Sequence, residues 1–166
     1  MMAKGEICRL RPPRKVIGEA MVIADLIRQG HDVAIPFGHN QPLDLIVIRK
    51  EDGRLEKVQV KSTTSDGKTV RAAIRCASAW VAHRYTADEI DLIVIYEATT
   101  SQCFYLPSSL WDDHTHLTLR MTPTANAQVK GIRWAEQFTR IAGDPRQLLP
   151  LSPAREPALQ FGDPPE

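Results

Sequence analysis

The sequence predicts a single α/β domain built on a mixed sheet, and three stretches predict it. Residues 43–48 and 55–60, both rich in Leu, Ile and Val, flank Glu51-Asp52-Gly53-Arg54. Asp-Gly between two such runs marks a β-hairpin, because the turn needs positive φ at its central residues. Residues 18–29 carry Ala20, Met21, Val22, Ile23, Ala24, Leu26 and Ile27 at helical spacing, with Gly30 in the C-cap position. Residues 91–96 are a nearly unbroken β-branched run, the pattern of a strand buried on both faces inside a sheet.

Size and composition fit one such domain. With 166 residues, 43% of them apolar, the chain can bury a proper core. The net charge of +1 excludes a strongly basic coat but allows local basic patches. Cys8, Cys76 and Cys103 are odd in number, widely spaced and without a CxxC, so neither a disulfide framework nor a zinc knuckle is expected and a reducing cytoplasm fits best. No apolar run approaches the roughly 20 residues that span a bilayer, and the N-terminus lacks the apolar centre of a signal peptide. A cytoplasmic protein without a membrane partner is expected.

Taken in order, residues 1–15 form a basic arm with Lys4, Arg9, Arg11, Arg14 and Lys15 against Glu6. It serves either as a phosphate contact or as a solvated terminus. The domain proper is expected over 16–143. In its first helix Glu19 precedes Val22, Ile23, Leu26 and Ile27 by three, four, seven and eight positions, so its carboxylate runs along the apolar stripe. A buried carboxylate needs a cation, a metal or donors beside it; the other reading is an exposed first-turn acid favoured by the helix dipole.

Residues 33–35 read as a short strand and 36–42 as a turn-rich loop leading into Asp44 and the hairpin. Residues 69–75 alternate, Val70, Ala72 and Ile74 against Arg71 and Arg75, which predicts a third antiparallel strand. A helix is expected over 77–85, strands at 104–106 and around Leu117 and Leu119, a short turn of helix capped by Ser108-Ser109, and a helix over 128–142. Half of the 12 prolines lie in residues 144–166, without apolar periodicity, so an irregular or disordered tail is expected there.

If Asp52-Gly53 is a two-residue loop, opposed positions set Ile46 against Gln59 and Asp44 against Lys61. Asp44, Gln59 and Lys61 then share one face, and Leu45, Val47, Val58 and Val60 fill the other. On the residues alone, Asp44 with Lys61 is equally a cross-strand ion pair of a common kind. With Glu19 added from the packing helix, the set suits phosphodiester hydrolysis: oxygen donors hold Mg²⁺, which keeps several waters, and a lysine orients the attacking water and offsets charge on the phosphate.

These residues resemble the PD-(D/E)XK nuclease superfamily. Pro42-Leu43-Asp44 stands for its PD, Gln59-Val60-Lys61 for its (D/E)XK, and Glu19 for its first-helix acid. More narrowly, Gly18-Glu19, Asp44-Leu45-Ile46-Val47, Gln59-Val60-Lys61-Ser62-Thr63, Ile90-Asp91-Leu92, Leu119-Arg120 and the segment from Asn126-Ala127-Gln128 to Trp134-Ala135 are similar to the small PD-(D/E)XK endonucleases related to group I intron homing endonucleases. The likeness covers about residues 17–138.

The resemblance implies a restriction-endonuclease-like αβββαβ core, its mixed central sheet flanked by helices. It also implies an Mg²⁺-dependent DNA endonuclease in which Mn²⁺ can substitute. Asp44 is then the central metal ligand, with Glu19, the Gln59 side-chain carbonyl and the Val60 backbone carbonyl beside it, and Lys61 positions the water. Gln59 departs from the usual acid, as in some active branches of the superfamily. The departure keeps a competing reading open, a catalytically inactive module for binding DNA or protein.

Duplex or branched DNA is the expected partner. One small domain reads little sequence and duplex cleavage needs two sites, so a homodimer or homotetramer is expected. Arg14, Lys15, Arg71, Arg75, Asn126 and Gln128 are candidate DNA contacts, with Arg84 and Lys130 in reserve. Asp112, His114 and His116 alternate and on a strand would share a face fit for a transition metal, although a solvated loop explains them as well. Trp80, Trp111 and Trp134 sit beside apolar neighbours and are expected in the core or an interface.

Overall fold

The computed structural model describes residues 14–38, 41–77, 82–111, 114–124 and 130–142. Helix α1 (Arg14–Gln29) begins earlier than the apolar periodicity alone indicates, and it buries Gly18, Val22, Leu26 and Gln29. Ile27 stays 59% exposed, so the stripe facing the sheet is one position off the one containing Glu19. The helix closes where expected. Gly30 has φ +91, its N–H donates to the Ile27 carbonyl at 2.9 Å, and His31 N–H donates to the Leu26 carbonyl at 3.1 Å, a pairing that satisfies carbonyls the last turn leaves open.

Strands β1 (Asp32–Ala34), β2 (Leu45–Ile48) and β3 (Leu55–Thr63) form an antiparallel meander. After β3 come β4 (Thr69–Ala73), β5 (Arg75–Ala77) and β6 (Ala82–Arg84), and then β7 (Leu92–Glu97), β8 (Gln102–Pro107) and β9 (His116–Arg120). β7 returns parallel to β3 and pairs antiparallel with β8, which makes a five-stranded mixed sheet in the order β1-β2-β3-β7-β8. The mixed α/β class read from the sequence is observed. No described helix is long and apolar enough to cross a membrane.

Alternation along the strands gives the sheet two buried faces. Leu45, Val47, Val58, Val60, Leu92, Val94 and Tyr96 pack with Val22 and Leu26 of α1. Ile93, Ile95, Phe104 and Leu106 pack on the opposite side with Val70 and Ala72 of β4, Leu117 and Leu119 of β9, and Trp111. Every residue of β7 is buried, as its unbroken apolar run requires. Trp111 is a core residue, its indole N–H donating to the Leu106 carbonyl at 3.0 Å.

Five local expectations are corrected. The hairpin turn is longer than Asp52-Gly53: Arg49 N–H bonds the Arg54 carbonyl, Gly53 N–H bonds the Arg49 carbonyl, and Gly53 alone takes positive φ (+71). Ile46 therefore pairs with Lys57 rather than Gln59. The slip is even, so it leaves every side chain on its expected face.

Residues 69–73 do form a strand, but β4 pairs antiparallel with β9 in a separate ribbon, which buries its Val70 and Ala72 against the second face. Within 77–85, where a helix is expected, β6 pairs with β5, and 78–81 lie outside the described residues, with Trp80 among them. Residues 135–138, inside the expected final helix, are a short 3-10 turn, while Trp134 bridges to Arg120. The short turn at Ser108–Leu110 exists, yet neither serine side chain caps it and Pro107 occupies the cap.

Candidate functional site

Asp44 stands immediately before β2, where ladder pairing gives way to side-chain bonds. Its own N–H donates to the Val58 carbonyl at 2.8 Å. Its carboxylate then takes the place of a strand neighbour: Oδ2 accepts the Val60 N–H at 2.8 Å and a proton of the Gln59 amide. The same amide nitrogen lies 3.2 Å from the Val60 carbonyl oxygen. Three of the expected donors, Asp44, Gln59 and Val60, thus meet around one point. A half-turn of the Gln59 amide would present its oxygen there instead.

The remaining oxygen of Asp44 belongs to a residue from α1. Lys15 Nζ lies 3.1 Å from Asp44 Oδ1 and 3.6 Å from Glu19 Oε1. Lys15 and Glu19 are one turn apart on the helix, so their side chains emerge on the same side. Glu19 therefore sits at the edge of the packed stripe with its side chain 27% exposed, and it reaches the Asp44 cluster through a shared ammonium. Partial burial pulls the Lys15 pKa down, but the hydrogen bond and charge of Asp44, supported by Glu19, outweigh it and raise the pKa above the ordinary lysine value.

Close approach of α1 makes this meeting possible. A Cβ on Gly18 would lie 1.9 Å from Ser62 Oγ and 3.2 Å from Ser62 Cβ, so the helix sits closely on β3 at this glycine.

Lys61 lies beyond Gln59 on the same face of β3, where the parallel register sets it beside Ile95 of β7. Asp44 is not set against Lys61 as the shorter turn implies; extending the observed register brings it opposite Gln59. Lys61 Nζ donates to the Tyr85 hydroxyl at 3.1 Å, stands 4.7 Å from the centre of the Tyr85 ring, and lies 3.5 Å from the Arg75 carbonyl. Tyr85 is 3% exposed. Sequence reading gave no sign of Tyr85, since it falls in a stretch read as helix. The place of Lys15 was within reach, at four positions before Glu19, once the helix is started at Arg14.

The other expected DNA contacts scatter. Arg14 borders a cavity of about 150 Å³ with Ile17, Ser62, Thr64 and Tyr96 on the α1 side. Arg71 projects from the outer face of β4, opposite Thr118 of β9, and is exposed, as is Arg75. Asn126, Gln128 and Asp112 lie outside the described residues. No group of three His, Cys, Asp or Glu side chains among the described residues converges to hold a metal, His114 and His116 included.

The groups gathered here are two carboxylates, a carbonyl and an amide whose oxygen a half-turn would bring inward, and together Asp44 and Glu19 already hold one cation, the Lys15 ammonium. That set fits a small hard divalent ion such as Mg²⁺, which takes few protein ligands and keeps waters. It does not suit a transition metal that wants imidazole or thiolate.

A family model described as PD-(D/E)XK endonuclease matches residues 15–141. No curated protein matches the chain. Among solved structures, the bacterial homing endonuclease I-Ssp6803I aligns with a TM-score of 0.54 at 22% identity, covering 70% of this chain and 81% of that one. At that identity the likeness is one of fold.

Proposed function

Since the chain belongs to the PD-(D/E)XK endonuclease family, we propose that it is a metal-dependent endodeoxyribonuclease whose site is built from Glu19, Asp44, Gln59, Val60 and Lys61. The observation that carries the reading is the meeting of Asp44, Gln59 and the Val60 carbonyl at one point, with Glu19 joined to Asp44 by a shared cation.

Asp44 and the Val60 carbonyl would hold Mg²⁺, or Mn²⁺ in its place, with Gln59 and Glu19 beside them. The ion, when bound, neutralises charge on the scissile phosphate and makes a bound water more acidic. Lys61 orients the attacking water and stabilises negative charge gathering on the phosphate oxygens. Its ammonium stands over the Tyr85 ring and bonds the Tyr85 hydroxyl, which holds it in one direction. Arg71 and Arg75, exposed on β4 and β5, are phosphate contacts that position the duplex without reading bases. The working form is a cytoplasmic homodimer or homotetramer, which supplies the second site that duplex cleavage needs.

Gln59 favours a second reading. Its amide nitrogen faces Asp44 and supplies no charge to an ion, as expected of a nuclease-like module that binds DNA or protein without cutting. Incubation of supercoiled, linear duplex and branched DNA with Mg²⁺ or Mn²⁺ separates the two. Cleavage by the wild type that Asp44→Asn and Lys61→Ala both abolish is expected. Salt-sensitive DNA binding without any cleavage would establish the inactive module instead.

A further inference from the structure

We propose that Lys15 is a working residue of this site: its ammonium holds the cation position between Glu19 and Asp44, and it yields that position to a divalent ion while moving onto a phosphate of bound DNA. The proposal rests on the metal-dependent reading above and adds to it a residue outside the acid, amide and lysine set.

The two oxygens of Asp44 have different occupants. Oδ2 is taken by the Val60 N–H, a backbone donor fixed in β3, and by Gln59. Oδ1 is held by Lys15 at 3.1 Å. An ion drawing on both Asp44 and Glu19 must therefore displace the ammonium, the one side-chain cation that bridges them among the described residues.

Lys15 is suited to leave. Its side chain is 67% exposed, against 9% for Asp44, so swinging outward uncovers little apolar surface. It extends from the first turn of α1, and Arg14 beside it is exposed. Without a metal, two acids share one lysine and stay converged; with a metal, the lysine is released as a free positive charge at the rim of the site, where a phosphate backbone would lie. The exchange answers what Gln59 leaves undone. An amide in place of an acid lowers the negative charge available to an ion, and the Lys15 charge offsets one of the two carboxylates that remain, so ion entry is favoured when DNA phosphates draw Lys15 away.

Isothermal titration with Mn²⁺ on the full chain, supported by electron paramagnetic resonance of free Mn²⁺, tests the competition. Lys15→Met is expected to bind Mn²⁺ about three- to fivefold more tightly than wild type, and Lys15→Arg to stay close to wild type, because removing an exposed ion pair changes affinity by about that factor. Duplex binding followed with Ca²⁺ present should show a salt slope about one phosphate contact steeper in wild type than in Lys15→Met, and no such difference in EDTA. Equal Mn²⁺ affinity in wild type and Lys15→Met, with binding still lost in Asp44→Asn, overturns the Lys15 proposal and leaves the nuclease reading intact. Absence of any Mn²⁺ binding that depends on Asp44, in either protein, overturns both.

Discussion

Lys61 places its ammonium 3.1 Å from the hydroxyl of Tyr85 and 4.7 Å from the centre of the same ring. One aromatic side chain thus supplies both an acceptor and a π face to the residue assigned to the attacking water. Replacement by phenylalanine keeps the face and removes the acceptor. Tyr85→Phe is expected to lower kcat by roughly 3- to 10-fold with KM nearly unchanged, the range that one lost hydrogen bond of about 1 kcal/mol supports. Tyr85→Leu should lower it further. Single-turnover cleavage rates check this, and a Tyr85→Phe enzyme cutting at the wild-type rate would show that the ring face alone positions Lys61.

Gly18 makes the opposite of the usual prediction for a helix. Alanine in a helix interior ordinarily stabilises by about 1 kcal/mol relative to glycine. Here its methyl would sit 1.9 Å from Ser62 Oγ and 3.2 Å from Ser62 Cβ, so the Ser62 hydroxyl must turn away and the packing of α1 on β3 must also give slightly. Gly18→Ala is expected to destabilise by roughly 1–3 kcal/mol. Because α1 carries Lys15 and Glu19, cleavage should fall along with stability. Adding Ser62→Ala removes the nearer clash and should recover part of the loss in urea unfolding; no recovery would mean that Ser62 is not what the helix meets.

How much was legible depends on whether a signal was local. The two faces of β2 and β3 followed from alternation, and they survived a wrong turn because the register slipped by an even step. Asp44 still came to Gln59 and Val60. The pairing of β4 with β9 joins residues such as Val70 and Leu119, which are far apart in the chain; alternation reveals a strand's faces but not its neighbour. Stretches rich in alanine, such as Ala77 and Ala82, satisfy helix and strand patterns equally. Tyr85 was invisible for a related reason. Nothing in its local sequence points to Lys61, and only the crossover between β3 and β7 brings the two together.

Glu97 closes the end of β7 with its carboxylate. Fully buried, it accepts the backbone N–H groups of Ser65 at 2.9 Å, Thr99 at 2.9 Å and Thr100 at 2.7 Å, and the Thr100 hydroxyl at 2.6 Å. Burial alone would raise its pKa, yet the hydrogen bonds from Thr100 and Thr99 prevail and hold it down to about 2. A pKa depressed on folding stabilises the protein above the unfolded value and loses that contribution as pH falls through the folded one. Stability should therefore drop as pH falls from the ordinary carboxylate range near 4.5 toward 2. In Glu97→Gln that part of the pH dependence should vanish, and stability at pH 7 should be lower by about 2 kcal/mol. Thermal unfolding across that pH range reads both effects; an unchanged pH profile in the variant would count against Glu97 as its source.

Arg49 and Glu56 pose a question of coupling. Their side chains are only 11% and 9% exposed, and Arg49 Nη1 lies 3.3 Å from Glu56 Oε1. The other guanidinium nitrogen, Nη2, donates to the Ala142 carbonyl at 2.9 Å, so this pair also ties the end of the described chain to the hairpin. Arg49 Nε and Glu56 Oε2 are buried without a hydrogen-bond partner among the described residues. A pair with such slack gains little over an apolar one, since desolvation offsets much of the attraction. Breaking it is another matter, because one partner's charge then stays buried. Glu56→Leu is expected to cost roughly 3 kcal/mol, while Arg49→Met with Glu56→Leu should cost less than Glu56→Leu alone. Urea unfolding of the two single variants and the double one closes the cycle. A coupling of about 1–3 kcal/mol is expected, and strictly additive losses would show that the two charges are solvated independently.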